Sequence, residues 1–85
     1  MIPVRVLFFA SLREAVGREE VFLELPDSAR IDDLLASLDD ILSAEAMAAL
    51  RAENVRLAVN QEMLTAPGRL RPNDEVAFLP PVTGG

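Results

Sequence analysis

The groups that could do chemistry in this chain are few. The sequence contains no histidine, cysteine, tryptophan or tyrosine, and all eight of its basic residues are arginine. General-base catalysis by histidine, nucleophilic catalysis by cysteine or lysine, and zinc binding by histidine or cysteine are therefore excluded. Carboxylates and hydroxyls remain as possible catalytic groups. The sequence shows no evident catalytic partner for a pair of carboxylates, however. The most distinctive reactive group is the C-terminal carboxylate of Gly85.

The segment that carries this carboxylate favours an extended conformation. Two prolines fix φ and lack N–H donors, so they end sheet pairing, and the two glycines have no Cβ to obstruct a narrow channel. Fully extended, residues 81–85 reach about 16 Å. Small residues also end many chains simply by fraying. We predict instead a flexible tail over residues 81–85 that enters a partner's active site through Pro81, Val82, Thr83 and Gly84, with Gly85 as the reacting residue.

Composition limits the class of protein. With 85 residues, 51% of them hydrophobic, the chain can form one domain with a real core. No apolar run approaches the ~20 residues of a membrane span, and no export signal or disulfide framework is present, so a cytoplasmic protein is expected. The net charge of −6 opposes nucleic-acid binding. We expect no bound metal and no permanently bound cofactor.

Alternating apolar residues predict the strands. The pattern places the side chains of Val4, Val6 and Phe8 on an inner face and those of Leu7 and Phe9 on an outer one. Proline, glycine and asparagine clusters separate the strands. The predicted strands cover residues 2–9, Glu20–Leu25, 55–59, 63–65 and 75–79.

The apolar period changes to that of a helix in the middle of the chain. Ile31, Leu34, Leu35 and Leu38 follow the i, i+3, i+4, i+7 spacing of a helix that lies on a sheet. A shorter helix is predicted over residues 44–50 with Ser43 as its N-cap, and one helical turn over residues 11–16. The order of the main elements, β-β-α-α-β-β-β, predicts an α+β domain over residues 1–80. In it, a mixed sheet packs on one main helix plus a short second helix.

Several segments resemble a known family, the small subunit of molybdopterin synthase (the MoaD family). The resemblance covers essentially the whole chain and departs from the family at Arg30 and over residues 39–54. It rests on Val6-Leu7-Phe8-Phe9-Ala10, Leu12-Arg13-Glu14, Val16-Gly17, Ala58-Val59-Asn60-Gln61 and residues 74–85, which end in Pro80-Pro81-Val82-Thr83-Gly84-Gly85.

The resemblance implies a ubiquitin-like β-grasp fold and a sulfur-carrier function. A ubiquitin-activating-like adenylyltransferase would use ATP and magnesium to adenylate the Gly85 carboxylate, which sulfur transfer then converts to a thiocarboxylate. The large subunit of molybdopterin synthase would accept the tail in a 2+2 heterotetramer. There the sulfur enters cyclic pyranopterin monophosphate in molybdenum cofactor biosynthesis. This chain would be the non-catalytic subunit of that sulfurtransferase.

The resemblance also implies a docking surface on the outer face of the sheet. Leu7, Phe9, Ala58 and Leu79 are expected to form an apolar patch, which would meet the large subunit mainly through Phe9 and Leu79. A contiguous apolar patch on a small protein often marks an interface. Arg13, Arg69 and Arg71 receive no firm role.

Two other functions use the same residues differently. A related carrier could supply sulfur for thiazole formation or tRNA thiolation, or the tail could join the chain to other proteins as a modifier. A β-grasp interaction module, in contrast, would use only its surface and would tolerate an extra C-terminal residue.

Overall fold

The computed structural model describes residues 1–64 and 68–80. They form a five-stranded sheet and three helices, which confirms the predicted α+β class and β-grasp architecture. In chain order the elements are β1 (Ile2–Phe8), α1 (Ala10–Val16), β2 (Glu20–Leu25), α2 (Ile31–Asp39), α3 (Ala44–Leu50), β3 (Arg56–Val59), β4 (Glu62–Met63) and β5 (Asp74–Leu79).

The sheet is mixed, with the strand order β2-β1-β5-β3-β4. Strands β1 and β5 are parallel neighbours, with Val6 opposite Val76, whereas every other pair is antiparallel. The predicted adjacency of the first and last strands is therefore confirmed. The C-terminal segment consequently leaves from the centre of the sheet.

One face of the sheet packs against the helices and forms the core. The rings of Phe8 and Phe78 stack there, with their centroids 5.8 Å apart. Burial of each large apolar side chain contributes about 1.5–3 kcal/mol, so this face supplies most of the stability. The buried core side chains from the strands and from α2 are those of Ile2, Val4, Val6, Phe8, Val21, Leu25, Leu34, Leu38, Val76 and Phe78.

The helix ends are stabilised by nearby polar groups. The Asp33 carboxylate accepts a hydrogen bond from the Arg30 N–H at 2.8 Å, so an acidic residue in the first turn of α2 supplies the cap that Arg30 cannot. The Ser43 hydroxyl accepts from the Ala46 N–H at 3.1 Å and caps α3, as predicted. Gly17 ends α1 with φ 81°, a left-handed conformation that suits glycine.

The structure corrects several predicted boundaries. Two move by one residue, since β3 begins at Arg56 rather than Val55 and β5 begins at Asp74 rather than Glu75. Strand β1 ends at Phe8, because the next residue is the N-cap of α1, and α1 is a two-turn helix rather than one turn. Strand β4 is Glu62–Met63 rather than residues 63–65, of which Thr65 lies outside the described residues. Asn60 and Gln61 both have positive φ and form a two-residue hairpin turn, which places Glu62 opposite Val59.

No helix among the described residues is long and apolar enough to cross a membrane.

Candidate functional site

The ends of β1 and β5 lie together because the two strands are parallel. We call this edge of the molecule the tail end, since Pro80 follows β5 there and leads into residues 81–85. The Phe9 N–H donates to the Phe78 carbonyl at 3.3 Å, which ties the exit of β1 to β5. Antiparallel β3 begins at the same edge, with Arg56 opposite Leu79. Strand β5 therefore ends between Phe9 and the start of β3.

Helix α1 holds Phe9 at this edge. The Phe9 carbonyl accepts hydrogen bonds from the N–H groups of Leu12 and Arg13 at 3.0 and 3.3 Å. Leu12 is buried and anchors the helix to the core. Phe9 itself stays 43% exposed. The strand-to-helix junction thus presents an aromatic side chain beside the end of β5.

The sheet face away from the helices, which we call the open face, carries an apolar row. The strand register places Leu7 beside Ala77, Ala77 beside Ala58, and Ala58 beside Met63. None of the four belongs to the core cluster, whereas the alternate positions Phe8, Phe78 and Leu57 pack on the other side. One row of apolar side chains therefore crosses four strands next to the tail end.

The predicted patch residues lie on this face, with one difference in exposure. Leu7 and Leu79 are half-buried and Phe9 is exposed, but Ala58 is buried. Its short side chain lies between those of Ala77 and Met63, which leave little of it accessible. Ala58 therefore forms the floor of the patch rather than a protruding contact.

Sequence reasoning missed two members of the row. Ala77 could have been found, because it alternates with the inward residues Val76 and Phe78. Met63 could not, because its position depends on the hairpin register that the two positive-φ residues of the turn impose.

The half of the open face away from the tail is charged. Arg5 donates a hydrogen bond to Glu20 at 2.7 Å, and its guanidinium lies 3.5 Å from the Glu75 carboxylate. The hydrogen bond to Glu20 and the charge of Glu20 raise the pKa of Arg5, with a smaller contribution from Glu75. Phe22, opposite Arg5 on β2, is 73% exposed. Apolar and charged areas thus divide the open face.

A pocket of about 150 Å³ opens at the tail end of the apolar half. Leu7, Phe9 and Arg13 line it, together with Arg5 from the charged half. The pocket combines an apolar floor with the guanidinium groups of Arg5 and Arg13 and the carboxylate of Glu19.

Within residues 1–64 and 68–80, no group of three or more potential ligands could hold a metal ion. The predicted tail residues Pro81, Val82, Thr83, Gly84 and Gly85 lie outside the described part of the chain, so their roles stay predictions. What the described residues offer is an apolar row on the open face beside the end of β5, the strand that precedes the glycine-terminated segment in sequence.

Comparison with known proteins shows the family to which this chain belongs. Residues 6–85 match the ThiS family. The molybdopterin synthase sulfur carrier subunit of Escherichia coli is 38% identical over 84 residues, which cover 96% of this chain and 99% of the relative. The protein of the same name from Chlamydomonas reinhardtii is 37% identical over 86 residues, covering 99% of this chain and 100% of the relative.

A solved structure agrees with the sequence comparison. The small archaeal modifier protein 1 from Methanosarcina acetivorans superposes with a TM-score of 0.78 at 28% identity, covering 100% of this chain and 98% of that one. It shares the β-grasp fold described above. The chain therefore belongs to the ThiS family, and within it to the molybdopterin synthase sulfur carrier subunits.

Proposed function

We propose that this chain carries sulfur for molybdopterin synthase on the carboxylate of Gly85. The observation that carries the proposal is the position of β5. This strand lies at the centre of the sheet, borders the apolar half of the open face and runs directly into the Gly-Gly segment. A partner that covers this half of the open face is well placed to receive the tail.

The chemistry needs activation by another protein, because a carboxylate is a poor electrophile. A Gly85 carboxylate oxygen attacks the α-phosphate of ATP, pyrophosphate leaves, and a glycyl adenylate forms. A sulfur donor then displaces AMP and leaves a thiocarboxylate, an anionic and soft nucleophile that needs no base from this chain. ATP and magnesium belong to the activating partner. The sequence contains no histidine, cysteine or lysine, which fits a mechanism in which the partner proteins supply the catalytic groups.

Two partners follow from the proposal. The activating partner is a ubiquitin-activating-like adenylyltransferase. The other is the large subunit of molybdopterin synthase, in a 2+2 heterotetramer, where the sulfur passes to cyclic pyranopterin monophosphate. The E. coli and C. reinhardtii relatives are named as one subunit of a synthase, which supports a partner subunit. We place the process in the cytoplasm, where ATP is available to the activating enzyme.

The apolar half of the open face is the docking surface that we propose for the large subunit. Phe9 is exposed there, and Leu7 and Leu79 are half-buried around it, so a partner can cover all three. Exposed aromatic side chains that become enclosed at an interface commonly contribute more than their neighbours to binding. Phe9 is therefore the main anchor and Leu79 the second.

Deletion of Gly85 tests the function. The truncated protein is expected to form no thiocarboxylate with activating enzyme, ATP and a sulfur donor, because the reacting acyl group is displaced by about 3.3 Å from its required position. Intact-mass measurement detects the replacement of one oxygen by sulfur. Thermal stability should not change, since the core cluster of the described residues ends at Phe78.

Two further variants complete the test. Addition of one residue after Gly85 keeps every native side chain but moves the carboxylate, and it should also abolish charging. Gly84→Val should give an intermediate rate, because a β-branched side chain obstructs a narrow channel without removing the chemistry. Normal charging and dithiolene synthesis by the Gly85-deleted protein would refute the proposal. Tolerance of the extra residue would favour an interaction module.

A further inference from the structure

The end of the sheet where β1 and β5 begin, opposite the tail end, contains a groove that the proposed sulfur transfer does not use. Its volume is about 730 Å³. The starts of parallel β1 and β5 and the turn after β2 meet at this edge. We call it the distal groove, and its walls include Ile2, Asp27, Ser28, Arg69, Leu70 and Arg71. Because β5 has six residues, the groove lies about 17 Å from the base of the tail.

Local packing directs two arginines into solvent at this groove. Leu70 is buried in the core, and its N–H donates to the Ala29 carbonyl at 2.7 Å. The Arg71 N–H donates to the Asp74 carboxylate at 2.8 Å, and Arg69 forms a β-bridge with Arg30. Leu70 is buried, whereas Arg69 and Arg71 on either side of it are exposed, and all three line the groove.

Neither guanidinium forms an ion pair within the described residues. Among the eight arginines only Arg5 and Arg51 form ion pairs within the described residues, so the two groove arginines share this state with most of the others. Asp27 is the carboxylate in the groove wall, and it pairs with the N-terminal amino group at 3.1 Å instead. The groove therefore presents two positive charges on an acidic protein.

The turn that forms the other wall is strained. Ser28 has φ 68°, a left-handed conformation that glycine adopts more easily, in a turn closed by the hydrogen bond from the Ala29 N–H to the Pro26 carbonyl. Ser28 adds a hydroxyl, which can donate a hydrogen bond to an anion, to the groove that the two arginines line.

We propose that the distal groove binds an acidic peptide segment of a partner protein. Alternate residues of an extended strand lie about 6.6 Å apart on one face, so Arg69 and Arg71 match two carboxylates at positions i and i+2 of an extended peptide. The net charge of −6 opposes a long polyanion such as nucleic acid more than a short peptide, because every additional phosphate meets the acidic surface. The groove's distance from the tail leaves the sulfur-carrying end free.

A titration of the full-length protein with a labelled peptide of alternating glutamate and serine tests this proposal. Fluorescence anisotropy at low salt should give saturable binding that weakens as salt is added. Arg69→Gln and Arg71→Gln should each weaken it by about 1.5-fold to fivefold, the range of an exposed ion pair. Arg56→Gln is the matched control, because Arg56 is exposed and lies at the tail end.

The variants should melt at the wild-type temperature, since all three side chains are exposed, so a change in binding is not a change in folding. Absence of saturable binding overturns the proposal. Equal weakening by Arg56→Gln overturns it as well, because it shows nonspecific attraction. Tighter, Arg69-dependent binding of a single-stranded oligonucleotide would assign the groove to nucleic acid and also overturn it. The test is independent of sulfur transfer.

Discussion

The two faces of the sheet are built from the same strands but are organised differently. The covered face is apolar apart from the buried carboxylate of Asp74 at the start of β5, and it closes on α2, with Leu34 and Leu38 fully buried. The open face has an apolar row near the tail end and the Arg5 ion pairs farther away. Because alternate residues of one strand lie on the two faces, a single strand such as β5 contributes both to the core and to the surface that we propose for docking.

This comparison separates residues that maintain the fold from residues that we assign to binding. Phe78 and Leu79 are adjacent in sequence, yet Phe78 is buried in the core and Leu79 is half-buried on the open face. A substitution on the covered face should therefore lower stability first. A substitution on the open face should lower binding while the domain remains folded.

The largest effect is expected for Phe78→Ala. Truncation of a buried phenylalanine costs about 3–5 kcal/mol, through lost burial and the cavity that remains. Small domains have only about 5–15 kcal/mol of stability, so the variant should melt more than ~10 °C below wild type. Urea or thermal denaturation followed by circular dichroism measures the change.

Phe22→Ala is the matched control on the open face. Phe22 is the same residue type but is 73% exposed, so its truncation should change the free energy of unfolding by no more than about 0.5 kcal/mol. If the two substitutions destabilised the domain equally, the division between a stabilising face and a binding face would be incorrect.

The covered face could be predicted from sequence because each of its positions obeys a short-range rule. Period-2 alternation identifies Val4, Val6 and Phe8 as inward, and the helical period identifies Leu34 and Leu38. The side chains of Leu7, Phe9 and Leu79 follow as outward by the same alternation.

The features of the open face that were not predicted depend on contacts between residues far apart in sequence, which no local sequence pattern indicates. Arg5 and Glu20 are 15 residues apart and meet only because β1 pairs with β2. Met63 joins the apolar row through the register of a hairpin whose turn residues, Asn60 and Gln61, both have positive φ, although no glycine marks the turn.

An intermediate effect is expected when the apolar half of the open face is truncated. Phe9→Ala or Leu79→Ala should weaken association with the large subunit by about 1–3 kcal/mol, because each removes an anchor of the proposed interface. Isothermal titration calorimetry measures the affinity, and circular dichroism verifies that the domain remains folded.

Phe22→Ala again serves as the control, since it removes an exposed aromatic ring from the other half of the open face. Its affinity should match wild type. If Phe22→Ala weakened association and the Phe9 and Leu79 variants did not, the docking surface would belong to the charged half.

The smallest effect is expected for Arg5→Met, which removes the charge but keeps a similar unbranched stem. Arg5 is exposed, and exposed ion pairs contribute little because water and salt screen them. The variant should melt slightly below wild type at low salt, and the difference should disappear at about 1 M salt, where the Debye length is about 3 Å.

Salt concentration is more informative than pH in this test, since the pKa of Arg5 is raised from an already high value. Because the pKa of Arg5 is higher in the folded state, its ion pairs stabilise the fold at every pH below the unfolded-state pKa. This contribution is lost only in strongly alkaline solution, so the stability difference between the variant and wild type should not depend on pH near neutrality. A melting-temperature difference that persisted at high salt would show that Arg5 supports the sheet through packing of its aliphatic stem rather than through Glu20 and Glu75. The charged half of the open face would then stabilise the fold as the covered face does, and the distinction between the two faces would apply only to the apolar row.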